Sequence, residues 1–198
     1  MFTTIHYVTA LLQLVSTTAL SAYALTLSYE NITRLRHYEE KSEKAAEWSN
    51  TAAHKLHKTR TTQASGTVTL ILSLLTSTAL IFLPSYATPR AIITASAVNA
   101  AALYASRTHM ARFWNESKQA KVPFVDKFNE AIRGSEKVVL LLGTLSQAWA
   151  VTGMVWFGMA NGGSVLLGLA TWGLAVGGRV VYIAADMGWM PSAPPAGQ

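Results

Sequence analysis

Five long apolar stretches divide the chain: Ile5 to Ser28, Thr67 to Leu83, Ala91 to Ser106, Val138 to Ala160 and Ser164 to Ala185. A helix crosses a hydrocarbon core of about 30 Å in about 20 residues, with about 17 as the lower bound. The first and fourth stretches meet that requirement easily and the second narrowly. The third needs an extra turn, and the fifth is long enough but contains Arg179. This pattern predicts an all-α protein, a polytopic transmembrane helical bundle of five spans, or of four if 138–185 is one crossing plus a re-entrant or surface-lying piece. Residues 1–190 then make a single membrane-embedded helical domain, and the proline-rich 191–198 a disordered tail. Asn161-Gly162-Gly163 reads as the tight turn between the last two spans, and Pro84 and Pro89 bracket a short loop after the second.

Two polar helical segments, 29–60 and 107–137, separate the apolar ones. In the first, Glu30 precedes Arg34 and Glu40 precedes Lys44 by four residues, and no Gly or Pro interrupts, so one continuous helix is expected. Leu35, Tyr38, Ser42, Ala45, Ser49, Ala52 and Leu56 recur along it at steps of three and four. That spacing is a heptad seam, suited to a partner helix although its small members bury little apolar area. In the second segment, Pro123 suits a first helical position, and Phe124, Val125, Phe128 and Ile132 share one face. A helix lying along the membrane surface is expected there, with Phe113 and Trp114 as interfacial anchors.

Charge distribution supplies a direction. Of the 16 basic residues, seven lie between Arg34 and Arg60 and seven between Arg107 and Lys137, leaving Arg90 and Arg179. Lys and Arg concentrate on the cytoplasmic side of membrane proteins, so the N-terminus is expected outside or lumenal and the C-terminus cytoplasmic. Seven basic residues follow the first apolar stretch and none precedes it, which favours an uncleaved anchor over a secretory leader. On this topology the sequons at Asn31 and Asn115 stay unglycosylated. The composition agrees: 51% hydrophobic and only 13% charged residues, with a mean hydropathy of +0.26, exclude an ordinary soluble globule. The net charge of +6 favours anionic lipid of the inner leaflet as a partner. No nucleic-acid partner is expected, because the basic groups flank spans.

Chemistry inside the bilayer would rest on buried polar groups, each costly unless paired. The candidates are Gln13, Asn99, Gln147 and Arg179, with His109 nearby in the basic segment. Their ordinary role is hydrogen bonding between helices; the sharper one is to line a substrate cavity. His37, His54 and His57 lack the same-face carboxylate spacing of helical metal sites, so neither a metal nor another cofactor is expected, and no catalytic residue is assigned. Packing is better specified. Ser164, Gly168, Gly173 and Gly177 on the fifth span and Ala97, Ala101 and Ala105 on the third are small-residue stripes that let another helix approach, within this chain or in a second copy. The expected function is a non-catalytic accessory or assembly component binding lipid and a protein partner or its own copy. The alternative is a small membrane enzyme of oxygenase, isomerase or cyclase type acting on a lipophilic metabolite.

Overall fold

The computed structural model describes residues 4–85, 87–114 and 126–186, of which 94% are helical and none lies in a strand. Helix α1 runs from Thr4–Trp48, α2 from Asn50–Phe82, α3 from Pro89–Trp114 and α4 from Asp126–Ala160. The described chain ends in α5 (Val165–Trp172), a π-helical turn (Gly173–Gly177) and α6 (Gly178–Asp186), which together occupy the fifth apolar stretch. The proline-rich tail 191–198 lies outside the described residues. Four helical stretches are long and apolar enough to cross a membrane: 4–36, 53–82, 132–160 and 165–185. The third expected span lies in α3, whose 26 residues suffice in length but whose inward face carries Ser96, Asn99 and Ser106. Its shortfall is in apolarity.

The polar segment 29–60 is not one helix, which corrects the sequence reading. Its first part extends α1 to a total of 45 residues, about 68 Å at 1.5 Å per residue. The chain then reverses at Ser49, and its second part begins α2. The Ser49 carbonyl accepts the Ala53 N–H at 3.0 Å and so starts the new helix, and Ser-Asn-Thr at 49–51 supplies the residue types that favour such a start. The two arms lie antiparallel. Hydroxyl pairs Thr18–Ser77 at 2.8 Å, Ser21–Ser73 at 2.9 Å and Ser28–Thr67 at 2.9 Å set the register, and Arg60 on α2 donates to Glu43 on α1. Leu35 of the expected partner seam is therefore buried inside this chain. Leu56 is half-buried on the opposite arm. The side chains of Tyr38, Ala45 and Ala52 lie outside the described set.

Thr88 caps α3, its hydroxyl accepting the Ala91 N–H at 3.2 Å, with Pro89 at the first helical position, where its missing N–H costs nothing. One stripe of α3, Ile92, Ser96, Asn99, Leu103, Ser106, Met110 and Trp114, is buried against α2 and α4. Residues 115–125 lie outside the described set, and from Asp126 the expected surface helix is already the start of α4. Of its expected apolar face, Ile132 is 2% exposed in the core, and the side chains of Phe124, Val125 and Phe128 lie outside the described set. Helix α4 touches every other helix, and Val138, Leu141, Leu142, Leu145 and Trp149 form the middle of the core with Leu14, Leu70 and Leu103. At its end Gly162 has φ +86°. The Gly163 and Gly162 N–H groups donate to the carbonyls of Gly158 and Met159 at 2.9 and 3.2 Å, a Schellman closure that requires the left-handed residue. Ser164 then caps α5.

Candidate functional site

Polar side chains inside the bundle mostly bond to one another. Tryptophan carries an apolar body and one donor that needs a partner when buried, and four indoles find one across helices. Trp114 Nε1 donates to Thr62 Oγ1 at 3.0 Å, Trp149 to Ser73 Oγ at 2.8 Å, Trp156 to Gln13 Oε1 at 3.0 Å and Trp172 to Thr152 Oγ1 at 2.9 Å. Gln63 Nε2 donates to Ser135 Oγ at 2.9 Å. The hydroxyls of Ser106 and Ser146 reach the backbone carbonyls of Ser65 and Ala100 on neighbouring helices at 3.0 and 2.8 Å. Each bond joins two helices, so together they set the rotation and height of α1 to α5.

The four intramembrane candidates do not converge. Gln13 is fully buried and held by Trp156. Asn99 is buried on α3, its Nδ2 donating to Ala95 O of its own helix at 2.9 Å, while its Oδ1 is without a partner. Gln147 is half-buried on α4. Arg179 follows the π-helical turn, half-buried, with its Nε unpartnered. His109 is exposed on α3. Among the described residues no group of three or more His, Cys, Asp or Glu is spaced to hold a metal ion.

Close helix approach occurs at glycines other than the expected ones. A Cβ on Gly66 would lie 2.6 Å from Met110 Sδ and one on Gly153 would lie 3.0 Å from Ser96 Cβ. One on Gly134 would overlap the carboxamide of Asn31. Within the expected stripes, only Gly168 is tight, 2.7 Å from Val155 Cγ1, next to the capping residue Ser164. At Gly173 and Gly177 an added Cβ would meet nothing within 4 Å, and Ala97, Ala101 and Ala105 are exposed on the outside of α3. Gly173 and these three alanines serve no close helix approach among the described residues. Between α1 and the π-helical turn runs an apolar groove of about 560 Å³, with Ser16, Leu20, Tyr23, Trp172, Val176 and Gly177 in its walls.

The arrangement defines a helical bundle whose four apolar helical stretches fit an integral multi-pass membrane protein. No protein-family model, curated protein or solved structure matches the chain.

Proposed function

We propose that this chain is a multi-pass membrane protein serving as a non-catalytic accessory or assembly component, with its N-terminus outside or lumenal and both its C-terminus and the α1–α2 reversal in the cytoplasm. Helices α2 and α4 run parallel, as the Gln63–Ser135 and Trp149–Ser73 pairs require. If both cross, α3 must return between them, so five crossings are the consistent count despite its polar stripe. The cytoplasmic arms would meet anionic lipid through their basic residues.

The observation that carries this reading is the contrast between inside and outside. Interior polar groups are largely engaged in helix–helix bonds, while Gly173 and the small-residue face of Ala97, Ala101 and Ala105 are exposed with no close neighbour helix among the described residues. Lipid-facing small residues allow backbones of separate helices to approach, which is how membrane helices associate. Replacing the exposed Gly173 by Leu tests it. The unfolding midpoint in detergent should stay unchanged, because nothing in the chain is displaced, whereas the complex on native electrophoresis should shrink. An unaltered complex size would reject the assembly role. The alternative, an enzyme acting on a lipophilic metabolite, is favoured only by the lateral groove, whose polar groups are limited to the Ser16 hydroxyl and the Tyr23 phenol.

A further inference from the structure

Where α1 and α2 leave the apolar region, a cavity of about 290 Å³ opens between them, lined by Ile32, Leu35, Arg36, Arg60, Gln63 and Ala64 among others. Its depth follows from the chain. Ile32 to Arg36 begin one turn past the first apolar stretch and Arg60 to Ala64 end one turn before the second. That is the headgroup layer, which adds about 5–8 Å to each side of the hydrocarbon core. Three properties of the lining describe an occupant. Arg36 on α1 and Arg60 on α2 both line it from opposite arms of the hairpin. Arg60 has Glu43, but among the described residues Arg36 has no ion-pair partner. The Arg36 guanidinium, unpaired among the described residues and beside the Arg60–Glu43 pair, favours an anion and repels a metal cation. Gln63 is 5% exposed, its Nε2 is used on Ser135, and its Oε1 is buried without a partner. A carbonyl oxygen of this kind needs a hydroxyl or N–H donor, since burying it unpaired is costly. Finally, Ile32, Leu35 and Ala64 give the cavity an apolar floor, which a hydrated inorganic ion would not use.

We propose that this cavity seats the head of one anionic phospholipid bearing a free hydroxyl, of the phosphatidylglycerol or phosphatidylinositol class. The phosphate lies between Arg36 and Arg60, the hydroxyl donates to Gln63 Oε1, and the glycerol region rests on Ile32, Leu35 and Ala64. The proposal rests on the membrane reading above and gives its lipid contact a location and a chemistry.

The full chain, reconstituted in vesicles of equal phosphatidylglycerol and phosphatidylcholine, is released into mild detergent, and retained lipid is counted by native mass spectrometry. The intact protein should keep phosphatidylglycerol in preference to phosphatidylcholine, and also to phosphatidylmethanol, an anionic diester lacking hydroxyls. Arg36→Gln should lower that retention about fivefold, the usual effect of one basic residue at a lipid surface. Gln63→Glu, whose carboxylate replaces the amide donor and can accept from the Ser135 hydroxyl instead while setting a negative charge against the phosphate, should lower it as well. Arg34→Gln, at an exposed arginine paired with Glu30, should leave it unchanged. Equal losses in Arg34→Gln and Arg36→Gln would reduce the effect to diffuse surface charge and overturn the site. Displacement of the lipid by millimolar inorganic phosphate would overturn its assignment to a lipid. Detergent phase separation of the same preparation keeps the two readings apart. A chain that enters the detergent phase but shows no headgroup preference defeats this site alone, whereas one that stays in the aqueous phase defeats the membrane reading with it.

Discussion

Single side chains differ in how much rests on them, and hydrogen-bond multiplicity decides the order. Ser73 Oγ receives Trp149 Nε1 and also pairs with Ser21, so Trp149→Phe leaves it satisfied; the expected cost is about 1 kcal/mol beyond the lost ring volume. Gln13 has its Oε1 on Trp156 and its Nε2 already unpartnered. Trp156→Phe therefore orphans a fully buried amide and should cost about 1–3 kcal/mol more. Combining it with Gln13→Leu should restore part of the loss. Thermal unfolding followed by intrinsic fluorescence ranks the three variants, and a smaller effect at Trp156 than at Trp149 would refute the ordering. Gly134 poses a steric case. Asn31 is 2% exposed and lies where a Cβ would sit. Gly134→Ala should destabilise by about 1–3 kcal/mol, and Asn31→Ala in the same chain should relieve most of it. Gln63, Asn31 and these tryptophans are ordinary residues in the sequence; their roles depend on partners 72 to 143 positions away in the case of Gln63 and Trp156, which periodicity does not reveal.

At the scale of elements, the α1–α2 reversal separates propensity from packing. Segment 29–60 has helix-forming composition throughout, yet α1 stops at Trp48. Leu35 finds its partners by folding back within the chain, because two arms of one chain meet without the loss of translational freedom that a separate partner would suffer. The Ser49-Asn50-Thr51 run was the legible signal, since such residues start helices more readily than they continue them. Cysteine is absent from the chain, so the reversal can be tested with one engineered pair. Ser28→Cys with Thr67→Cys, at a pair whose hydroxyls lie 2.9 Å apart, should form an intramolecular disulfide under mild oxidation, detected by peptide mass. In an unbroken helix those positions would be about 58 Å apart, and no bond would form. The turn at 161–163 shows the opposite situation: Asn-Gly-Gly predicted a sharp reversal, and Gly162 provides it at φ +86°, because that conformation depends on local sterics alone.

For the whole molecule, sidedness is the property with the widest consequences. On the proposed topology, single cysteines at Ser85 and Asn161 should react with an impermeant maleimide added outside sealed vesicles, and one at Trp48 should not. Labelling at Trp48 from outside would invert the arrangement. The chain's apolar stretches and its two basic segments were enough to foresee an all-helical architecture, the ends of α2 and α4 and the site of the last turn, since transfer of apolar surface and local sterics act on each segment separately. Tertiary structure alone decided that Gly66, Gly134 and Gly153 rather than Gly173 or Ala101 carry the close approaches and that Gln63 lines a cavity with Arg36 and Arg60. Those outcomes depend on which faces meet across the bundle, and a contact between helices is specified by two distant stretches of sequence jointly, so neither stretch displays it by itself.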